Sequence, residues 1–199
     1  MFDRPEVGEK AILVNINFNN INHEEDTTEL TQLVLSAGFE VADIIESNKS
    51  QPDAKYFIGS GKAQELVTLK EVTEASTIVF NHELTPSQER NIEKLTGLRV
   101  YDRTALILYI FSQRAKSYEG KLQVELAHLA HLASRLTNGS SHLERQKGGI
   151  GVRGGPGEKQ IELDRRMIGI RIKQLKEKLK KLDKQRGMQR RARRRSNVL

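Results

Sequence analysis

Six of the fifteen glycines fall within ten positions, in the stretch Arg145-Gln146-Lys147-Gly148-Gly149-Ile150-Gly151-Val152-Arg153-Gly154-Gly155-Pro156-Gly157-Glu158. Glycine lets a backbone approach a ligand closely or adopt positive φ, and free N–H groups beside Arg145, Lys147 and Arg153 suit phosphate oxygens. The stretch also exceeds the roughly 2–8 residues that usually join two helices. Its chemistry is the binding of a polyanion; a solvated linker is the alternative.

Three further groups carry chemical potential. Tyr56-Phe57-Ile58-Gly59-Ser60-Gly61-Lys62 resembles a nucleotide loop, but G-x-x-x-x-G-K-[ST] needs glycine where Tyr56 stands and a hydroxyl where Ala63 stands, so it is not a P-loop. What remains is a strand-to-helix turn with Ser60 as the expected N-cap. Gly59, Ser60, Gly61 and Lys62 could hold a phosphate or serve only as a structural turn. Glu125, His128 and His131 form E-x-x-H-x-x-H, yet the second half of the hairpin has no histidine to complete a two-helix metal site, and heptad phase turns both histidines outward. The run Arg190-Arg191-Ala192-Arg193-Arg194-Arg195 suits nucleic acid, acidic lipid or plain solvation. No Ser/His/Asp or Cys/His constellation can be assembled, so no catalytic residue is assigned.

These groups need elements to position them. Ala11–Phe18 alternates at period two, and Val41–Glu46, Thr77–Asn81 and Leu98–Tyr101 are short β-branched runs. Between them, Asp26-Thr27-Thr28-Glu29 and Thr85-Pro86-Ser87-Gln88 read as helix starts, and Asp102 can cap the helix that carries Leu106, Leu108, Ile110 and Phe111. The pattern predicts an α/β domain over residues 1–116, with a mostly parallel sheet of about four strands and flanking helices. From Tyr118 the period changes. Leu122, Leu126, Leu129, Ala133 and Leu136 recur at gaps of 4-3-4-3, as do Ile168, Ile172, Leu175, Leu179 and Leu182. This predicts an antiparallel two-helix coiled-coil hairpin over residues 117–195 with its tip at 145–158. Its first helix has about 20 residues and spans about 30 Å. Leu136 would face Ile161 and Leu122 would face Leu175, with Arg165 in an otherwise apolar position.

Charge separates the two parts. Residues 1–140 hold 14 Lys/Arg against 20 Asp/Glu, a net of −6, whereas residues 141–199 hold 19 against 6, a net of +13. Such asymmetry points to a polyanionic partner. Cysteine is absent, which excludes disulfides and thiolate metal sites. No signal-peptide pattern or membrane-length apolar run occurs, and a cytoplasmic protein with no membrane span is expected.

The series YFIGSGKAQEL at 56–66, ELTPSQERNIEK at 83–94, DRTALILYIFSQRA at 102–115, GKLQVELAHL at 120–129, SHLERQKGGIG at 141–151 and GPGEKQIELDRR at 155–166 resembles the amino-terminal region of the HflX family of ribosome-associated GTPases. The resemblance implies an α/β domain, a helical hairpin and then a GTPase domain with the P-loop. It also implies binding to the large ribosomal subunit, a hairpin loop that reaches toward the peptidyl transferase centre, and the splitting of stalled ribosomes under stress. On this resemblance, ribosomal RNA contacts fall on Arg145, Gln146, Lys147, Gly148, Gly149, Gly151, Arg153, Gly155, Pro156 and Gly157. This chain departs from the family pattern with Lys159 and Leu163 at two threonine positions, an extra glycine at Gly154 or Gly155, Ser140 in place of an aromatic and Tyr109 in place of an aspartate. Residues 196–199 would begin a linker to the GTPase domain, so GTP, magnesium and GTP hydrolysis belong outside these residues and no cofactor is expected within them. An ATP-dependent RNA-remodelling domain and a coiled-coil interaction module are the alternative functions.

Overall fold

The computed structural model describes residues 8–18, 23–146 and 156–195. In order, the elements are β1 (Lys10–Asn17), α1 (His23–Ser36), β2 (Glu40–Asn48), α2 (Ser60–Thr73), β3 (Thr77–Phe80), α3 (Pro86–Thr96), β4 (Arg99–Tyr101), α4 (Arg103–Arg114), α5 (Tyr118–Gln146) and α6 (Pro156–Arg195). The chain divides into two compact units, Met1–Phe111 and Ser112–Leu199, and the division falls near the end of α4.

In the first unit the period-two run becomes the central strand of a four-stranded parallel sheet of order β2-β1-β3-β4. β1 is apolar on both sides. Ile12, Val14 and Ile16 pack with Ala63 and Leu66 of α2 and Ile92 of α3, while Ala11 and Leu13 pack with Leu30 and Val34 of α1 and Leu106, Tyr109 and Ile110 of α4. A parallel sheet covered on both faces needs this near-continuous apolar strand. At the carboxyl end of β3, the side chain of Asn81 extends the ladder. Its Oδ1 accepts from Ile16 N at 3.0 Å, and its Nδ2 donates to Ile16 O at 3.0 Å and to Asn15 Oδ1 at 2.5 Å.

Two of the expected helix starts hold and two are corrected. Thr85 and Gln88 form a full capping box with Pro86 at the first helical position. Asp102 Oδ1 accepts from Ala105 N at 2.7 Å. Asp26, however, lies inside α1, which already begins at His23. The neighbouring Thr27 hydroxyl bonds to Asn15 and to Glu46 Oε1, at 2.8 Å for the latter, so the sheet and not the helix end takes this polar group. Ser60 is likewise not the cap of α2. Gly59 holds that place at φ 81°, with no side-chain cap hydrogen bond among the described residues.

In the second unit both heptad series mark one side of a helix. Leu122 and Leu175 are buried, and the other eight apolar members are half-buried. α5 packs against α6. Glu119 pairs with Arg186, Glu125 Oε1 with Arg171 Nη2 at 2.6 Å, and the Leu136 carbonyl with Arg165 Nη2 at 3.4 Å. Rising numbers on α5 therefore meet falling numbers on α6. Arg165 at the polar break in the heptad stays exposed and donates outward to that carbonyl. α5 has 29 residues, not about 20. At 1.5 Å per residue it spans about 43 Å, because one glycine at position 139 costs a helix only about 1 kcal/mol.

Candidate nucleic-acid interface

The cationic residues are displayed by the two long helices. Arg145 and Gln146 form the carboxyl end of α5, and Pro156 and Gly157 lie in the first turn of α6. Proline suits that start because its missing N–H would be unpaired there in any case. Lys147, Gly148, Gly149, Gly151, Arg153 and Gly155 lie outside the described residues, as does Gly154. A cation at the end of α5 and the arginine run at the end of α6 both oppose the negative pole of a helix dipole. Of that run, Arg190 pairs with Asp183 at 3.9 Å, and Arg191, Arg193 and Arg194 are exposed.

Along α6, two arginines bind glutamates of α5. Arg171 donates from Nε and Nη2 to Glu125 Oε1 at 2.8 and 2.6 Å, and Arg186 pairs with Glu119. These bonds tie α6 to α5. The first also engages the carboxylate of the E-x-x-H-x-x-H series. Like His131, His128 corrects the outward placement expected from heptad phase, because it is half-buried. Burial, and then the nearby His131, push its pKa below the ordinary histidine value. Leu163, at one of the two departing threonine positions, is half exposed. Tyr109, at the aspartate position, is buried with its ring centroid 6.0 Å from that of Phe39 and 5.9 Å from that of Tyr101.

The turn at Gly59 is a second cationic place. Lys62 Nζ is held by Glu65 at 2.9 Å, one turn along. Lys49, which the motif did not reveal, lies closer to the turn, since a Cβ on Gly59 would come within 2.8 Å of its Nζ. Its position follows from the loop between β2 and α2. There Asp53 Oδ1 accepts from Lys55 N at 2.9 Å and Tyr56 N at 2.8 Å, and Phe57 pairs back to Asp53 at φ 65°. The Tyr56 N–H bond is the main reason that the Asp53 carboxyl titrates below its ordinary range, and Lys55 and Lys49 add to it against desolvation. Nothing in the spacing of Lys49 from Gly59 signals this approach.

Comparison with known proteins places this geometry in a family. The family model for the amino-terminal region of GTP-binding GTPases matches residues 24–112, and that for their middle region matches residues 114–193. GTPase HflX of Escherichia coli (strain K12) is 52% identical over 198 residues, an alignment covering 100% of this chain and 46% of that protein. The chain belongs to the HflX family. GTPase HflX of Flavobacterium psychrophilum is 47% identical over 185 residues, covering 92% of this chain and 45% of that protein. The chain thus spans about half the length of the curated HflX relatives it matches. Among solved structures, the complex of SsGBP with GDP aligns with a TM-score of 0.61 at 25% identity, over 90% of this chain and 46% of that one. Among the described residues no helix is long and apolar enough to cross a membrane.

Proposed function

We propose that this chain is the ribosome-binding part of an HflX-type GTPase that acts in the cytoplasm. Its glycine-rich segment contacts ribosomal RNA of the large subunit near the peptidyl transferase centre, and the whole protein splits stalled ribosomes under stress. GTP and magnesium bind to a GTPase domain of the same parent protein and not to these residues. The observation that carries the reading is the glycine-rich segment with Arg145, Lys147 and Arg153 that connects two long helices, within residues 141–199 of net charge +13. Arg145, Gln146, Lys147, Gly148, Gly149, Gly151, Arg153, Gly155, Pro156 and Gly157 are the assigned contacts.

Co-sedimentation with purified large ribosomal subunits tests this. Binding weakens steeply with salt, because each neutralised phosphate releases counterions. Combined replacement of Arg145, Lys147 and Arg153 by alanine lowers the affinity by about tenfold or more at moderate salt. Unchanged binding of that variant removes the segment from the interface.

A further inference from the structure

We propose that the α5–α6 hairpin slides between two registers one heptad apart, a movement of α6 by about 10 Å along α5. The structure holds one register, and the apolar seam fits the other equally well.

The contact between Arg165 and the Leu136 carbonyl fixes the observed register, four residues along α6 from the Leu136–Ile161 facing that spacing alone suggested. With a positions of one helix against d positions of the other, the apolar layers then run from Leu122 against Leu179 to Ala133 against Ile168, and Leu136 meets Arg165. Sliding α6 by one heptad toward the glycine-rich segment gives layers from Leu126 against Leu182 to Leu136 against Ile172, and Leu122 meets Arg186. Each register closes the same number of wholly apolar layers and leaves one leucine against an arginine. Apolar burial therefore does not choose between them.

Polar pairs ordinarily make that choice. Here they do not, because α6 repeats its cations at the heptad interval. In the observed register Glu125 holds Arg171 and Glu119 holds Arg186. After the slide Lys178 stands where Arg171 stood and Arg193 where Arg186 stood, and both side chains are exposed. The opposite slide is blocked. It would bring Asp164 to Glu125, a like-charge pair, and Leu179 to Glu119. The hairpin thus has one allowed alternative, which transfers residues 156–162 from the paired stretch into the connection and draws the carboxyl end of α6 toward it. Only the use of this movement by a GTPase domain attached beyond α6 rests on the ribosome-binding reading.

The chain has no cysteine, so engineered pairs in the full chain report the register without background. A disulfide needs Cα atoms within about 7 Å. Leu129→Cys/Ile172→Cys meets that limit in the observed register and Leu129→Cys/Leu179→Cys in the slid one. Leu122→Cys/Ile168→Cys meets it in neither, since the two positions stay about 16 Å or more out of alignment. Under mild oxidation, followed as intramolecular bridging on non-reducing gels, the first pair should close fastest. The second should close within about 100-fold of the first, through a register populated at about 1% or more, and well ahead of the third. Adding Arg186→Leu to the second pair completes a layer of the slid register and should raise its rate about tenfold, the effect of one buried leucine. Adding Arg165→Leu completes a layer of the observed register and should lower that rate by a similar factor. Circular dichroism should show unchanged helix content in each variant. A second pair that closes no faster than the third overturns the proposal, as do leucine variants that shift its rate in the same direction. No ribosome is present, so this proposal and the ribosomal reading can fail separately.

Discussion

A half-buried His128 couples α5 to pH. Burial, and then the neighbouring His131, hold its folded pKa below the ordinary value of 6.5, so the unfolded chain takes up the proton first as pH falls. The stabilising contribution of the neutral imidazole is complete above about pH 6.5 and is lost on acidification through the folded value. Urea unfolding followed by circular dichroism should therefore show a lower midpoint at pH 5 than at pH 7.5, and His128→Gln should flatten that difference. An equally steep pH dependence in the variant would remove His128 as its source. At this scale the sequence was a partial guide. Thr85, Gln88 and Asp102 cap as their spacing requires, because both partners lie within three residues. Thr27 and Gly59 behave otherwise because their neighbours Asn15, Glu46 and Lys49 come from distant positions in the chain.

At the scale of elements, the two long helices were legible from period alone. The ten apolar residues of the 4-3-4-3 series are all buried or half-buried. Helix length was not legible, since the apolar series ends at Leu136 whereas α5 continues to Gln146. Gly169 is a cleaner case, sitting in mid-helix with open space where a Cβ would stand. Gly169→Ala should stabilise α6 by up to about 1 kcal/mol, as the chain entropy lost by glycine is relieved without a clash. Thermal denaturation measures this, and a lowered midpoint would mean that the space is filled. The exposed edge of the sheet is also protected by its own sequence. β2 carries a register irregularity opposite Ala11 and Ile12, and Asp43 Oδ1 accepts from Ile44 N at 2.7 Å. A strand edge whose N–H is already bonded is a poor template for another strand.

For the whole molecule, the core decides how many parts can stand alone. Both apolar clusters of the sheet draw their buried residues from between Ala11 and Ile110. Residues 1–116, produced alone, should therefore unfold in one cooperative urea transition, and a broad, non-cooperative change would show that this core needs the rest of the chain. Sequence by itself determined the α/β alternation, the change to heptads at Tyr118, the charge polarity and the family, because these depend on residue type and on spacing over a few turns. Only the tertiary structure decided the strand order β2-β1-β3-β4, the inward turn of His128, the place of Lys49 beside Gly59 and the pairing of Arg171 and Arg186 with glutamates of α5. Each of these is a choice of partner between residues far apart in the chain. Such choices are settled by which polar groups can be satisfied once the apolar faces have closed, and local periodicity carries no record of them.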